Sequence, residues 1–254
     1  MKEIHQPRVR NNFSNVIHAY KKYRRDYPEK TYDLIQGFCP DASAKVLDLG
    51  CGTGIATNHL AQYYDSVVGT DREESMVEAA RERAVMNTTF VVASGEKLPF
   101  DDSSFDLVTV ASAYHWFDYD RAGKEIYRVL KPNGKLCVFW KNGNGKSKNY
   151  LPSFAYENLK KFITDIPSAN KEKLSDAIFL RVGFTKVDDE EFDFADTYSK
   201  EEILGYIQSH STFNLLDEAQ KIEYMKLNET SVGKHLTGGS YIFDSRMMVY
   251  LIEK

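Results

Sequence analysis

The chain of 254 residues has few cysteines, and their arrangement is not one that binds metal. Cys39, Cys51 and Cys137 lie far apart, with no Cys-x-x-Cys pair and no cluster with histidine. This spacing argues against a disulfide framework and gives no support to a zinc site. We therefore expect no metal, and reduced thiols as in a cytoplasmic protein.

The chain also lacks any apolar stretch close to the roughly 18 residues of a membrane span. Its first 30 residues are rich in Lys, Arg and Tyr and contain no apolar signal core. The formal net charge is −4, and the basic residues are spread along the chain, so no field gathers nucleic acid. We expect a cytoplasmic protein with no membrane and no nucleic acid as partner.

Short apolar runs alternate with helical segments from residue 45 onward. This order predicts an α/β fold of the doubly wound, Rossmann-like type, with a mostly parallel seven-stranded sheet. The last two strands are expected to form an antiparallel edge hairpin whose connection has expanded into a helical lid. The predicted strands are Lys45–Leu49, Ser66–Thr70, Thr89–Val92, Phe105–Ala111, Lys135–Trp140, Phe184–Phe194 and Tyr241–Ile252.

Helical spacing fills most of the intervals between these strands. The stretch Lys141–Asn149 has the composition of a linker and is expected to end the first half of the core and to open an insertion. The predicted helices are Ile55–Tyr64, Glu73–Val85, Tyr119–Leu130, Leu151–Ile163, Lys171–Val182, Lys200–His210 and Leu215–Val232.

Three glycines, Gly50, Gly52 and Gly54, follow the first strand directly and precede a helix. Glycine lets the backbone approach a ligand closely, so the turn is a candidate binding loop. The dinucleotide fingerprint G-x-G-x-x-G would need its third glycine at position 55, where Ile55 stands. The spacing therefore disfavours a nicotinamide dinucleotide.

Two carboxylates refine the choice of ligand. Asp48 stands two residues before Gly50, where its charge would repel a pyrophosphate and attract the ammonium and sulfonium of S-adenosylmethionine. Asp71, at the end of the second strand, can accept both hydroxyls of a ribose. Asp71 could bind the ribose of a nicotinamide dinucleotide or of S-adenosylmethionine, or could act only as a helix cap. Asp48 is therefore the residue that distinguishes the two ligands.

The segment Val46–Gly54 resembles the first motif of class I S-adenosylmethionine-dependent methyltransferases. Tyr23–Pro28 is similar to a Y-R-P-x-Y-P segment that packs over the cofactor in some members. The resemblance covers about residues 20 to 141 well. Segments that resemble the small-molecule branch, with its ubiquinone, menaquinone and trans-aconitate methyltransferases, are Glu96–Phe100, Ser104–Val108, Ala113–Phe117 and Arg128–Gly134.

This resemblance implies S-adenosylmethionine as cofactor and S-adenosylhomocysteine as product. The glycine loop would hold the methionine end, Asp71 the ribose and Ser94–Glu96 the adenine. The family often has Asp where this chain has Ser94, so a hydroxyl or a backbone carbonyl would meet the adenine amino group. The predicted cofactor-binding residues are Tyr23, Arg24, Asp48, Gly50, Cys51, Gly52, Asp71, Ser94, Gly95, Glu96 and Ala111.

His115, Trp116, His210 and Arg246 are the predicted contacts of the methyl acceptor, and Arg24 is an alternative to Arg246. His115 and Trp116 follow the fourth strand, and His115 is either a general base, a substrate contact or a polar residue wedged under the cofactor. His210 lies in the expected lid, or is an ordinary histidine at a helix end. Arg24 or Arg246 could orient an acceptor carboxylate, and Tyr20, Tyr23 and Arg24 could instead belong to a surface helix.

The expected reaction is methylation of oxygen or carbon in a small molecule. The Asn/Asp-Pro-Pro-Tyr/Phe segment of nucleic-acid and glutamine amino methylation is missing, since Ala111–Tyr114 stands there. The alternatives are a module that binds the cofactor without catalysis and a nicotinamide oxidoreductase. The pattern names neither the acceptor nor the oligomeric state.

The chain is expected to form one domain overall, made of four parts. These parts are an N-terminal helical cap (1–40), the cofactor-binding core (41–142), a helical insertion (143–183) and C-terminal edge strands with the helical lid (184–254).

Overall fold

Strands and helices alternate along residues 16–143, 147–148, 151–164 and 174–254, the part of the chain that the computed structural model describes. The helices are α1 Ile17–Tyr23, α2 Glu29–Phe38, α3 Ile55–Leu60, α4 Glu74–Arg81, α5 Tyr119–Val129, α6 Ser153–Leu159, α7 Asp176–Leu180, α8 Lys200–Gln208 and α9 Glu218–Gly233. The strands are β1 Lys45–Leu49, β2 Ser66–Asp71, β3 Thr88–Val92, β4 Phe105–Ala111, β5 Leu130–Gly143, β6 Ser147–Lys148, β7 Leu151–Pro152, β8 Lys186–Ser199 and β9 Ser240–Glu253.

Seven of these strands form one sheet in the order β3-β2-β1-β4-β5-β9-β8. The first five in this order run parallel, and β9 is antiparallel to both β5 and β8. This arrangement confirms the predicted sheet with its antiparallel pair at one edge. The strand order reverses at β1, which lies between β2 and β4, and open α/β sheets bind ligands at the carboxyl ends of strands around such a point.

Both faces of the sheet are covered, which explains why β1 is apolar almost throughout. Val46 packs on one face against Tyr32 and Leu60 from the helices α2 and α3. Leu47 packs on the other face, in the cluster that includes Ile126 of α5. The core therefore fixes β1 from both sides and holds the loop that follows it.

The lid lies between β8 and β9 and consists of α8, a short 3-10 helix at Ser211–Leu215 and α9. Capping boxes at Ser199 and Asp217 begin the two α-helices. Gly205 of α8 lies directly against the ring of Tyr23, so α1 and the lid are in contact. None of the described helices is long and apolar enough to cross a membrane.

Some predicted boundaries were wrong. Lys141–Gly143 continues β5 rather than starting a linker, because β9 pairs with these residues as far as Ser245. The predicted helix from Glu73 ends at Arg81, where the Arg81 side chain turns to donate hydrogen bonds to the Phe90 carbonyl.

The helices predicted after residue 150 are also shorter than expected. α6 begins only after Pro152, which lacks the N–H of a helix interior. Of the stretch predicted from Lys171 to Val182, only Asp176–Leu180 is helical among the described residues, and residues 171–173 lie outside them.

Candidate functional site

The glycine loop turns sharply between β1 and α3. Gly50, Gly52 and Gly54 have φ values of +74°, +54° and +78°, a region that other residues rarely adopt. The N–H groups of Gly50 and Cys51 both donate to the carbonyl of Thr70, at 2.7 and 2.9 Å, and so anchor the loop to β2. The sequence therefore needs glycine here for backbone shape as well as for close approach.

Asp71 ends β2 and faces the loop. Its Oδ2 accepts from the Gly52 N–H at 3.0 Å, and its Oδ1 accepts from the Glu73 N–H at 2.9 Å. Burial raises the pKa of this carboxyl, and the two backbone hydrogen bonds act in the opposite direction. These bonds fix the carboxylate at the mouth of the loop, where the sequence placed it.

An open cleft lies at the carboxyl ends of β1, β2 and β4. Of the predicted cofactor-binding residues, Gly50, Gly52, Asp71, Gly95 and Ala111 line it. The other lining residues are Tyr20, Arg72, Glu73, Met76, Ala93, Ser112, Ala113, Trp116 and Phe117.

Asp48 lies beneath this cleft and not at its surface. The residue is fully buried, and its carboxyl accepts from the hydroxyls of Thr57 at 2.6 Å and Thr109 at 3.0 Å. Burial raises the pKa of Asp48 to about 6, although both hydroxyls oppose the rise. The sequence predicted a carboxylate facing the ligand, so the structure corrects the placement of this side chain.

Three other predicted residues, Cys51, Ser94 and Glu96, do not line the cleft but lie in the segments that form it. The Cys51 side chain packs away from it, against Val77 and Phe90, and burial raises the pKa of its thiol. The hydroxyl of Ser94 donates to the Glu96 carboxylate, which also accepts from the N–H of Asp118 at 3.0 Å. These contacts shape the segment whose Gly95 reaches the cleft.

The N-terminal segment reaches the cleft through Tyr20 and not through Tyr23. Tyr20 covers Gly52, since a Cβ built on this glycine would lie 3.7 Å from the tyrosine hydroxyl. Tyr23 turns to the lid, where its hydroxyl donates to Glu201 at 3.0 Å. Arg24 stacks over the Tyr20 ring at 5.0 Å, one side chain away from the cleft. The predicted contact through Tyr23 is therefore corrected.

His115 and Trp116 lie in a 3-10 turn, Tyr114–Trp116, just after β4. Trp116 lines the cleft, and the His115 ring lies 5.0 Å from the Trp116 ring. Burial lowers the pKa of His115 to about 4. A base with so low a pKa is mostly unprotonated at neutral pH but accepts protons weakly, which disfavours the general-base hypothesis.

The structure separates the two predicted substrate residues of the C-terminal part. His210 is 6% exposed and lies within the lid, between α8 and the 3-10 helix, with its ring 4.9 Å from the Tyr206 ring. Arg246 lies on β9 and forms an ion pair with Asp193 of β8 at 2.7 Å. Successive strand residues face opposite sides, and the neighbouring Ser245 is the one that turns to the cavity under the lid. The predicted role of Arg246 is therefore corrected.

Several lining residues were missed by the sequence analysis. Met76, Ala93 and Phe117 line the cleft, with Phe117 directly against Gly95, and none of the three is charged. Ser112 has φ +52°, and its Oγ accepts from the Tyr27 hydroxyl at 3.0 Å. Its place directly after Ala111, at the end of β4, was the signal that could have found it.

The comparisons with known proteins agree with this geometry. Residues 47–138 match the family described as a methyltransferase domain, and this range runs from within β1 to within β5 and includes the glycine loop. An uncharacterized methyltransferase of Schizosaccharomyces pombe is 30% identical over 215 residues, which is 84% of both chains. This chain belongs to the class I S-adenosylmethionine-dependent methyltransferases.

Other members match more locally or in fold alone. An uncharacterized methyltransferase of Mycobacterium bovis is 38% identical over 129 residues, and the chain spans about half, 51%, of the length of that relative. The crystal structure of the YcgJ protein from Bacillus subtilis has a TM-score of 0.57 at 21% identity, over 89% of this chain and 99% of its own. This methyltransferase therefore shares the fold of YcgJ across most of its length.

Proposed function

We propose that this protein transfers a methyl group from S-adenosylmethionine to an oxygen or carbon atom of a small-molecule acceptor. The observation that carries the proposal is the Asp71 carboxylate, held at the mouth of a bare glycine loop in an open cleft at the carboxyl ends of the parallel strands. Of the charged side chains lining the cleft, Asp71 and Glu73 are acidic and Arg72 is basic, so their formal sum is negative. A negative cleft favours the cationic methyl donor over a dinucleotide.

The residues of the cleft fit the parts of this cofactor. Asp71 would accept the ribose hydroxyls, and Gly50 and Gly52 would leave room for the methionine end. Gly52 fits this role because a side chain there would point at the Tyr20 hydroxyl. The apolar side chains of the cleft would pack on the adenine, namely Met76, Ala93 and Phe117.

When bound, the cofactor supplies a methyl group that its sulfonium has already activated. The chain must then align the acceptor and exclude water. Ser112 and Trp116, which follow β4, line the cleft and would face the acceptor. Because His115 is a weak base, we favour an acceptor atom that needs little help in losing a proton.

We further infer that the enzyme acts on small molecules in the cytoplasm. The net charge of −4 gives no support to a nucleic-acid partner. The three cysteines are all buried and unpaired, which suits a reducing compartment.

The test is turnover with methyl-labelled S-adenosylmethionine and a panel of small oxygen and carbon acceptors. Wild type is expected to form S-adenosylhomocysteine and a methylated product. Asp71→Ala should lower the affinity for S-adenosylhomocysteine by about tenfold to a hundredfold, because it removes a charged hydrogen-bond acceptor. Asp65→Ala, an exposed carboxylate just before β2, is the matched control and should leave this affinity unchanged. Unchanged affinity in Asp71→Ala would show that the ribose role is wrong.

A further inference from the structure

Arg24 is a cation held between two aromatic rings under the lid. Its guanidinium lies 5.0 Å from the ring centre of Tyr20 and 4.8 Å from that of Tyr206. One terminal nitrogen donates weakly to the Ser209 carbonyl at 3.4 Å. The Nε is buried and has no hydrogen-bond partner. The side chain is thus fixed in place with a strong donor left over.

His210, next to Arg24, has a second buried nitrogen without a hydrogen-bond partner. The residue is 6% exposed, and its Nε2 is buried without a hydrogen-bond partner. Burial and the positive charge of Arg24 lower the pKa of His210, so the ring is neutral and carries one N–H. Buried polar groups in folded proteins are nearly always paired. Two unpaired nitrogens on adjacent side chains therefore point to a missing partner.

The neighbouring cations show what kind of partner is missing. Arg25 pairs with Glu202 at 3.1 Å, and Lys141 pairs with Asp196 at 3.2 Å. Within the described ranges, no carboxylate oxygen lies within 4.0 Å of an Arg24 nitrogen. A part-buried cation without a counter-charge is costly, and a planar carboxylate matches the fork of a guanidinium.

The position of Arg24 indicates which ligand would supply that carboxylate. Arg24 does not line the donor cleft, but the ring of Tyr20 below it does. The ring of Tyr206 above it lines a second, small cavity. That cavity lies at the carboxyl end of β5, bounded by Lys141 and Ser245. Arg24 therefore stands between the donor cleft and a cavity under the lid.

We propose that Arg24 and His210 form a carboxylate subsite for the methyl acceptor, so that the acceptor is a small organic carboxylate. This inference rests on the proposed methyl transfer and adds the chemical class of the acceptor. The subsite would orient the acceptor by hydrogen bonds from the Arg24 guanidinium and the His210 ring, with the lid segment at Ser209 closing over it.

In the test, the protein is first saturated with S-adenosylhomocysteine and then titrated with benzoate, succinate and citrate. Benzamide and succinamide serve as uncharged analogues. Wild type is expected to bind at least one carboxylate more tightly than the amides. Arg24→Gln should weaken that binding by about tenfold to a hundredfold, since a charge-assisted bidentate contact is lost. Arg25→Gln is the matched control, because it removes a neighbouring cation that already has acidic partners, and it should bind like wild type.

Donor binding is measured in the same variants to separate the two proposals. S-adenosylhomocysteine is expected to bind to wild type and to Arg24→Gln with equal affinity. If Arg24→Gln does not fold, Arg24→Lys is used in its place. The ligand 5′-methylthioadenosine lacks the amino-acid part of the donor. If Arg24→Gln weakens the binding of S-adenosylhomocysteine but not of 5′-methylthioadenosine, Arg24 holds the donor carboxylate. That result overturns the inference and leaves the proposed function standing. The inference is also overturned if none of the carboxylates binds to wild type, or if they bind to Arg24→Gln with the same affinity as to wild type. Failure of S-adenosylhomocysteine to bind wild type would instead contradict the proposed function.

Discussion

The Asp48 carboxyl is enclosed beneath the glycine loop, and its environment favours the protonated form. Two threonine hydroxyls, from Thr57 and Thr109, are its hydrogen-bond partners, and it has no cation beside it among the described residues. The carboxyl of Asp71 adds a like charge nearby. A negative charge at Asp48 therefore costs stability when the cleft is empty and would be partly offset by a cationic ligand above it.

This environment predicts a pH dependence of stability. The pKa of Asp48 is about 6 in the folded protein, against about 3.9 for an unfolded chain. Between these values the native state keeps a proton that the unfolded state has released, so the free energy of unfolding falls as pH rises. Relative to Asp48→Asn, wild type should lose roughly 2–3 kcal/mol across this window.

Urea unfolding of wild type and Asp48→Asn across the window checks the prediction. Asp65→Asn, which removes an exposed carboxylate, serves as control for general charge effects. A difference between wild type and Asp48→Asn that stays constant across the window would contradict the assigned burial of the charge.

At the scale of elements, the contact between α1 and α8 decides how the lid sits over the site. Gly205 allows this contact, because a Cβ at this position would lie 2.2 Å from the ring of Tyr23. The same contact brings Tyr206 and Ser209 to Arg24. The lid therefore depends on a missing side chain in the middle of a helix, where glycine is otherwise unfavourable.

Gly205→Ala should thus push Tyr23 aside and weaken the docking of α1 on the lid. We expect a loss of about 1–3 kcal/mol in the free energy of unfolding, because overpacking outweighs the gain in helix propensity. The KM for the acceptor should rise more than the affinity for S-adenosylhomocysteine falls. Gly233→Ala in α9 is the matched control, since a Cβ there meets no atom within 4 Å, and it should stabilise slightly. Equal behaviour of the two variants in denaturation and kinetics would argue against the role of Gly205.

For the whole molecule, the sequence predicted those features that depend on local pattern. The seven strands, the turn at Gly50 to Gly54 and the place of Asp71 follow from residues that are close together in the chain, and the sheet confirms the seven strands and the antiparallel pair at one edge. Arg246 was misplaced because one residue of shift in a strand turns a side chain to the opposite face.

The remaining features of the site depend on contacts between segments that are far apart in the chain. Tyr20 and Tyr23 lie on the same short helix, and only the packing of α1 against α8 decides that Tyr20 reaches Gly52. The subsite at Arg24 joins α1 to a lid segment 185 residues away in the chain. No local pattern encodes such a meeting, so the unpaired nitrogens of Arg24 and His210 became visible only in the folded protein.

Calorimetric titration of the wild-type protein with S-adenosylhomocysteine and with NAD, in the same buffer, tests the choice of ligand most directly. Saturable heat with S-adenosylhomocysteine and none with NAD is the predicted result, because the acidic cleft and the glycine spacing both disfavour a pyrophosphate. Binding of NAD without binding of S-adenosylhomocysteine would contradict the assignment of the cleft.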